Sequence, residues 1–421
     1  MISKEKHSWQ TLSCWIWLVV SYFLVVVGER FINGLLLSYP MIKEKNLDDL
    51  IKELEDYDKE GLKKAVEENT IYLCDAKAEN SGYEIRIFDG NDSEVLNDYL
   101  GLAKEITFRD AGGGTGENRD IDEYDLGKDS MKPFKQLVIV KKDTREIIGG
   151  YRFAYGEDLL DKDGKVISPT AKLFNMSNRF KKKFLPYSIE LGRSWVLPEY
   201  QKHGGRGILA ALMKGLAGLM IESGKRYYFG KITRYPLKDE KQEDFVSAHL
   251  NAFLDTYYKG NSGLIKPRRS KIVKIPKIKG MKYDKLGMGK AFKALRKKIE
   301  NKNLPPILST YLGFSISLRH FGTAKNEDFG NVHETAIILD TRRLFDDVID
   351  WQVKSYLSDL KSMHKKSQNG IEKIEQYYRR FSVNKDIKTK KDYIKKQIVK
   401  EVDYFFDKRK RDVQYVAKLM R

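Results

Sequence analysis

The feature that most constrains this chain is an apolar segment that ends at a proline and is followed by glycines and a second apolar segment. The first segment carries one carboxylate, Glu190, and one guanidinium, Arg193, and it stops at Pro198. Residues 199–207 include three glycines, and residues 208–221 are apolar or small at helical spacing. This order predicts a strand, a tight turn and a helix.

A glycine turn at the start of a helix can bind phosphate. Glycines allow backbone N–H groups to approach an anion closely, and the helix dipole favours negative charge at that end. Gly204, Gly205 and Gly207 are placed to do this, with Lys202 and Arg206 beside them. An ordinary strand-to-helix connection would use the same residue types, so the turn alone leaves both interpretations open.

Several further segments show strand or helix patterns. Two short apolar runs flank a turn at Lys142 and Asp143, which is typical of a hairpin. Apolar periodicity predicts strands at 83–88, 136–141, 147–155, 188–196, 226–232, near 315–321 and near 334–339, and helices at 43–70, 95–106 and 207–222. The acidic loop at 110–130 is expected to be mobile. Beyond residue 344 glycine and proline almost vanish, which predicts a helical appendix.

The charge of the chain is large and unevenly distributed. The net charge is +19 over 421 residues, and residues 341–421 contain 22 Lys and Arg against 12 Asp and Glu. A second basic stretch covers residues 266–290. A solvated surface, an anionic membrane, an acidic protein and nucleic acid are the possible explanations. No nucleic-acid-binding module is recognisable, so nucleic acid is the least favoured partner.

The N-terminal region has three interpretations. Residues 12–28 are nearly all apolar, which is close to the minimum length for a membrane span. The segment could be a membrane anchor, a signal peptide, or extra translated sequence before a natural start at Met41; the signal peptide is the least favoured. The two cysteines, Cys14 and Cys74, provide neither a disulfide framework nor a metal-ligand set, and we predict no metal.

The order of these elements resembles the GNAT acyltransferase superfamily. Within it, several pieces resemble the hemolysin-like branch of ornithine-lipid and glycine-lipid N-acyltransferases, which is related to acyl-homoserine-lactone synthases. These pieces are YEIRIF at 83–88, DIDEYD at 120–125, IGGYRF at 148–153, ELGRSWVLPEY at 190–200, YFGKITRYP at 228–236, LPPI at 304–307 and HFGTAKNEDFG at 320–330.

This resemblance implies an α/β (α+β) fold with a GNAT-like mixed, mostly antiparallel sheet flanked by helices. The expected organisation is an apolar leader at 1–40, a helical lead-in at 41–80, the acyltransferase domain at 81–344 and a basic helical tail at 345–421. The implied enzyme is a cytoplasmic N-acyltransferase, peripheral or anchored at the inner face of the cell membrane, with no permanently bound cofactor. The usual phosphate signature Arg/Gln-x-x-Gly-x-Gly is degenerate here, because Lys202 occupies its first position.

The resemblance further implies a donor, an acceptor and a product. The donor is a (3-hydroxy) fatty acyl group on the phosphopantetheine of acyl carrier protein, with acyl-CoA as the other possible thioester. The acceptor is a small amino acid, glycine before ornithine, and the product is an N-acyl amino acid lipid precursor. The alternatives are a CoA-dependent acetyltransferase, and a non-enzymatic membrane- or nucleic-acid-binding protein that retains the fold.

Seven residues are candidates for acceptor binding and catalysis. Burial on its strand would raise the pKa of Glu190 and suit it to act as general base, although it could instead pair with an arginine. Tyr228 and Tyr235 are candidate proton donors to the leaving thiolate. A guanidinium fork suits an acceptor carboxylate, which Arg152 or Arg193 could bind.

The remaining candidates come from the acidic loop and from the donor side. Asp122 and Asp125 match acidic positions of the lactone synthases that organise the acceptor side, or they simply cap the next turn. On the donor side, backbone N–H groups after Trp195 would serve the oxyanion and the pantetheine amides. The predicted phosphopantetheine site comprises Trp195, Val196, Lys202, Gly204, Gly205, Arg206 and Gly207.

Overall fold

Eight strands form one mixed sheet in a computed structural model of the chain. The structure describes residues 44–363 apart from 77–81, 91–92, 129–130, 203–204, 279–282, 301–302, 305, 316 and 346–347. The sheet order is β1-β2-β3-β4-β6-β7-β10-β9, and every pairing is antiparallel except β6 with β7. Its strands are β1 Thr70–Asp75, β2 Tyr83–Asp89, β3 Lys135–Lys141, β4 Ile147–Tyr155, β6 Ser188–Val196, β7 Tyr227–Arg234, β9 Arg319–Asn326 and β10 Val332–Asp340.

Two short strands, β5 Phe174–Met176 and β8 Ile265–Pro267, form a separate antiparallel pair. Helices connect the strands and cover both faces of the main sheet. They are α1 Leu47–Glu55, α2 Lys59–Asn69, α3 Glu94–Asp110, α4 Glu123–Leu126, α5 Pro169–Leu173, α6 Asn178–Lys183, α7 Pro198–Lys202, α8 Gly205–Ser223, α9 Glu240–Tyr257, α10 Met288–Lys298, α11 Pro306–Leu312 and α12 Lys354–Met363.

The two faces of the sheet carry different cores. On the face that bears Glu190, called the Glu190 face below, α2 and α3 cover the β3 end and α5 and α6 cover the β7 end. The opposite face packs against helices α8 to α12 in the largest apolar cluster. Alternation along β6 shows the division, because Ile189 and Leu191 belong to the opposite-face cluster while Glu190 lies between them.

Local sequence signals explain where the helices that frame the site begin. The Ser93 hydroxyl accepts from the N–H of Leu96 to cap α3, and the Asp239 carboxylate accepts from the N–H of Gln242 to cap α9. The acidic loop after α3 is held by one buried carboxylate, Glu105. It accepts from the N–H and hydroxyl of Thr115 at 3.0 and 2.7 Å and from the N–H of Gly116 at 2.9 Å. This loop is therefore anchored to α3, not loose as the sequence suggested.

The predicted fold class is confirmed, and most strands of the main sheet lie where the pattern placed them. The predicted helix at 43–70 is instead two helices, because Asp58 caps a new helix at α2. β1 and α9 had no sequence prediction, and β9 begins later than expected. The leader at 1–40 and most of the tail lie outside the described residues. Among the described residues, no helix is long and apolar enough to cross a membrane.

Candidate active site

The site is built where β6 and β7 separate. The two strands pair in parallel only from Ser188 to Leu191 and from Tyr227 to Gly230. Beyond that point β6 continues beside β4 and β7 continues beside β10, so a gap opens between neighbouring strands. A Cβ atom on Gly230 would lie 2.2 Å from the Leu191 carbonyl oxygen, so glycine is required where the gap begins.

The gap exposes backbone groups along one edge of β6. The N–H of Leu197 donates to the Ile148 carbonyl of the β4 side at 3.0 Å. Because successive N–H groups of a strand point to opposite edges, the N–H of Val196 faces the gap. The Val196 carbonyl on that edge accepts from the Gln201 side chain at 2.7 Å. The predicted role of Val196 in binding pantetheine therefore has a matching backbone orientation.

A β-bulge in β6 brings two charged residues to one face. The register shifts between Gly150 and Arg152 of β4, so Arg193 and Ser194 together oppose Tyr151. Arg193 has a left-handed backbone with φ of 46°. Glu190 and Arg193 are three residues apart, and on a regular strand their side chains would point to opposite faces. The extra residue of the bulge turns the Arg193 side chain to the same face as Glu190. Glu190 and Arg193 consequently share the Glu190 face.

Glu190 is a buried carboxylate with incomplete hydrogen bonding. It is 1% exposed, and its Oε1 accepts from the N–H of Thr170 at 3.0 Å. Its Oε2 has no hydrogen-bond partner among the described residues, and neither has the Thr170 hydroxyl. Burial raises the pKa of Glu190, although the polar groups of Thr170 and Ser168 beside the carboxylate oppose the rise. A buried carboxylate with a raised pKa and an oxygen that accepts no hydrogen bond can accept a proton more readily than an exposed one.

An ion pair lies beside Glu190. Lys231 Nζ is 2.6 Å from Glu334 Oε2 and donates to the Pro169 carbonyl at 3.2 Å. The same peptide unit, Pro169–Thr170, donates its N–H to Glu190. This peptide thus connects the carboxylate to the ion pair, and the Lys231 charge lowers the pKa of Glu190 against the effect of burial.

The two candidate arginines belong to an aspartate cluster. Arg152 Nη1 donates to Asp122 Oδ1 at 2.6 Å and to Asp125 Oδ2 at 2.7 Å, and Arg193 Nε is 2.9 Å from Asp120 Oδ2. One sequence alternative was that Glu190 pairs with an arginine. Among the described residues both arginines pair with aspartates instead.

Asp122 and Asp125 combine the two roles that the sequence suggested. They form a capping box at the start of α4, and Asp125 also accepts from Lys104 at 3.1 Å and from Gln136 at 2.8 Å. Burial opposes ionisation of Asp122, but Arg152 and Arg193 hold its pKa below the ordinary value. Asp122, Asp125 and Arg152 are therefore paired with one another. Asp120 differs, because burial raises its pKa and neither of its oxygens accepts a hydrogen bond from the described residues, although Arg193 Nε lies 2.9 Å from its Oδ2.

The two arginines differ in how far they can reach a substrate. The Arg152 side chain is 2% exposed, and the Arg193 side chain is 14% exposed. The Arg193 guanidinium lies 4.0 Å from the centre of the Phe329 ring, which comes from the turn between β9 and β10. Arg193 is consequently the more accessible of the two for an acceptor carboxylate.

The candidate proton donors lie in different surroundings. The Tyr228 hydroxyl is on the opposite face and donates to the Leu216 carbonyl at 2.5 Å, and burial raises its pKa well above the ordinary value. Burial raises the pKa of Tyr235 to about 12, with Arg193 opposing the rise. Tyr235 therefore lies closer to the charged groups of the Glu190 face. A role in proton donation stays a prediction for both residues.

The predicted phosphate turn is described only in part. The helix begins at Gly205, two residues before the predicted start, and α7 occupies part of the expected turn. Gly204 and the side chains of Lys202 and Arg206 lie outside what the structure describes. A Cβ atom on Gly207 would meet no atom of the described residues within 4 Å. Trp195 is buried in the apolar cluster of the Glu190 face, with its Nε1 unpaired among the described residues.

Three residues of the site were missed from sequence. Thr170 lies in a turn-rich segment, and no sequence signal places it beside Glu190. Lys231 and Glu334 could have been noticed, because each is a single charge within an otherwise apolar strand pattern. Their partnership depends on β7 and β10 being neighbours, which sequence spacing does not reveal.

Parallel strands that separate at a glycine, a bulge in one of them and a helix beginning beyond it together define an acyltransferase of the GNAT class. The family model described as "Acetyltransferase (GNAT) domain" matches residues 104–211. The glycine N(alpha)-acyltransferase of Phocaeicola vulgatus is 35% identical over 310 residues, covering 71% of this chain and 91% of that protein. Its counterpart from Bacteroides thetaiotaomicron is 34% identical over 299 residues, covering 69% and 86%.

The chain belongs to the GNAT superfamily and, within it, to the N-acyltransferase family of these two relatives. It is therefore an enzyme, which removes the non-enzymatic alternative. A solved structure of a CoA-dependent acyl-homoserine lactone synthase, BjaI with MTA, aligns at a TM-score of 0.31 and 12% identity. That alignment covers 64% of this chain and 87% of the synthase.

Proposed function

We propose that this enzyme transfers a long (3-hydroxy)acyl group from acyl carrier protein to the amino group of glycine. The observation that supports this reaction is the buried carboxylate of Glu190 beside the gap between β6 and β7, of which only one oxygen accepts a hydrogen bond from the described residues. The names of the two relatives support glycine as the acceptor. The product is an N-acylglycine, a precursor of a phosphorus-free membrane lipid.

The reaction needs a deprotonated amine, a stabilised oxyanion and a protonated leaving thiol. Glu190 takes a proton from the ammonium of glycine, and the free amine attacks the thioester carbonyl. Backbone N–H groups at the gap edge of β6, including that of Val196, stabilise the oxyanion. The C–S bond then breaks as the C–N bond is retained, and Tyr235 or Tyr228 supplies the proton that the thiolate takes. The second proton lost by the attacking nitrogen restores the tyrosine, and Glu190 releases the first to solvent.

The substrate binds across both sides of the gap. The pantetheine arm lies in the gap, with its phosphate at Lys202, Arg206 and the backbone of residues 204–207. Arg193 holds the glycine carboxylate with its partly exposed guanidinium, while Asp122, Asp125 and Arg152 fix its position from behind. This places the amine of the acceptor on the Glu190 face.

The choice of carrier protein as donor rests on charge. Six basic side chains of the stretch at 266–290 are exposed and available to an acidic partner: Lys266, Arg269, Lys274, Lys277, Lys285 and Lys290. Electrostatic attraction of this kind increases association rates and is screened by salt. The same charges, with those of the tail, would favour peripheral binding at an anionic membrane.

The test is an assay of purified enzyme with matched donors and acceptors, read by mass spectrometry. We expect N-(3-hydroxyhexadecanoyl)glycine from the acyl carrier protein thioester, and little product when ornithine or alanine replaces glycine. The apparent affinity for the carrier protein should fall steeply with ionic strength, whereas the reaction of the corresponding acyl-pantetheine should not. Preference for acetyl-CoA, or equal salt sensitivity of both donors, would contradict the proposal.

A further inference from the structure

The ion pair between Lys231 of β7 and Glu334 of β10 has little contact with solvent. Its two side chains are only 11% and 4% exposed. Phe229 and Ala336, two residues away on the same strands, belong to an apolar cluster of the Glu190 face. Removing two charges from water costs free energy that their attraction does not always return, and an apolar pair of similar size is often as stable. Stability alone therefore does not explain a charged pair at this place.

Glu334 is held in place by several neighbours. Its Oε2 accepts from the Asn326 amide at 3.1 Å, and its Oε1 accepts from the Thr233 hydroxyl at 3.3 Å. The Lys231 ammonium lies between Glu334 Oε2 at 2.6 Å and the Pro169 carbonyl at 3.2 Å. The pair therefore fixes a positive charge against one peptide group of α5.

That peptide group, between Pro169 and Thr170, joins the ammonium to the candidate base. Its carbonyl accepts from Lys231, and its N–H donates to Glu190 Oε1 at 3.0 Å. A cation at the carbonyl end polarises a peptide group and strengthens the hydrogen bond that its N–H makes. The Lys231 charge thus favours the ionised Glu190 carboxylate both through the peptide and directly through space.

Further charged or titratable groups lie on the elements around Glu190: Arg152 of β4, Arg193 of β6, Tyr124 and Glu123 of α4, and Lys172 of α5. The two arginines pair with aspartates, and Lys172 pairs with Glu123 at 2.6 Å. Burial raises the pKa of Tyr124 above its ordinary value, so this residue stays neutral. Lys231 differs from these groups because its ammonium bonds the peptide that donates to Glu190.

We propose that Lys231 and Glu334 are positioning residues for catalysis, which hold the Pro169–Thr170 peptide against Glu190 and set the charge beside it. The inference rests on the proposed function, in which Glu190 takes a proton from the acceptor ammonium. Lys231 favours the ionised base, and Glu334 limits this effect because it offsets the Lys231 charge. The two residues therefore act on Glu190 in opposite directions.

The experiment measures kcat/KM for glycine against pH in the full chain. The donor is 3-hydroxyhexadecanoyl-pantetheine, so that docking of the carrier protein plays no part. The acid limb of the profile reports ionisation of the base. Lys231→Met should move this limb to higher pH, with kcat/KM on the limb falling by about tenfold and the plateau changing less. Glu334→Gln should move the limb to lower pH, because the Lys231 charge is then no longer offset.

A matched control is Arg268→Met. The Arg268 guanidinium also supports α5, since it donates to the Ala171 carbonyl at 2.9 and 2.7 Å, but it bonds a different peptide of the helix. Its loss should lower stability or turnover without moving the acid limb.

The outcomes separate this inference from the proposed function. Opposite shifts for Lys231→Met and Glu334→Gln support it, because a loss of packing would not change sign between them. If the unmodified enzyme acylates glycine but the two limbs stay in place, move together or move as far in Arg268→Met, the inference is overturned and the proposed function stands. If the unmodified enzyme acylates no glycine from the pantetheine or the carrier protein thioester, both fail. Should Lys231→Met not fold, Lys231→Gln keeps a donor for the Pro169 carbonyl and should still move the limb to higher pH; an unmoved limb overturns the inference.

Discussion

Two groups of buried charges lie on one face of the sheet, and they differ in whether an oppositely charged side chain contacts the carboxylate. In the aspartate cluster, Arg152 bonds both Asp122 and Asp125, and Lys104 and Gln136 add further bonds. Glu190 has one bond from a neutral peptide and an oxygen without a partner in the described part of the chain. Burying an unpaired charge is costly, so folds keep such groups mainly where chemistry uses them. We infer that the aspartate cluster stabilises the fold around the site and that Glu190 takes part in the chemistry.

The largest effect is expected when the Glu190 carboxylate is replaced by a neutral amide. Glu190→Gln should fold normally and lose about 10²–10⁴ in turnover, the range of general-base catalysis. The loss should shrink as pH rises, because more of the acceptor amine is then already deprotonated. Steady-state turnover over a range of pH is the measurement.

A matched control for this change is Glu84→Gln. Glu84 is also a buried strand carboxylate, but it is paired with Arg86 at 2.7 Å and with Arg145 at 2.9 Å. Its replacement should cost stability and leave turnover nearly intact. Equal turnover in the Glu190→Gln and unmodified enzymes would remove Glu190 from the mechanism.

A substitution in the aspartate cluster should mainly lower the stability of the fold. Arg152→Leu leaves Asp122 and Asp125 buried without their main partner, and breaking a buried pair in this way costs about 3–5 kcal/mol. The free energy of unfolding in urea measures the effect. Arg342→Leu removes a half-exposed arginine 3.5 Å from Asp340 and should change stability by less than about 1 kcal/mol. If Arg152→Leu changed the free energy of unfolding by a similarly small amount, the aspartate cluster would not be a stabilising element of the fold.

The smallest expected effect concerns how stability depends on pH. Because burial raises the folded-state pKa of Glu190 above 4.5, its contribution to stability is fully present below that value and is lost as pH rises through the raised pKa. Glu190→Gln should therefore gain stability relative to the unmodified enzyme over that rise, and only there. Urea unfolding of both proteins at several pH values measures the difference. A difference that is independent of pH would mean that Glu190 does not titrate in the folded state.

The sequence predicted the centre of the sheet better than its surroundings. β3, β4 and β6 were placed to within a residue, because each is an apolar run bounded by turn residues or proline. The helix α9 was missed because buried polar side chains, Glu243, Ser247 and His249, interrupt its apolar pattern. β1 was missed because a helical pattern leads directly into it at Thr70.

For the site, the sequence identified the charged residues but not their relationships. Glu190 stood out as a lone carboxylate in an apolar strand. That Arg152 and Arg193 would pair with aspartates depends on how the loop before α4 lies against β4 and on the bulge in β6. Contacts of this kind join segments far apart in the chain, and periodicity carries no information about them.

Phe329 and Glu334, which support Arg193 and Lys231, have a consequence for how the enzyme is made. They follow Glu190 by well over a hundred residues, and both lie beyond the part of the chain that matches the GNAT model. During synthesis Glu190 and the bulge that follows it leave the ribosome long before the hairpin formed by β9 and β10. Such distant pairings are slow to form. The newborn chain should therefore remain catalytically silent until its last two sheet strands have docked.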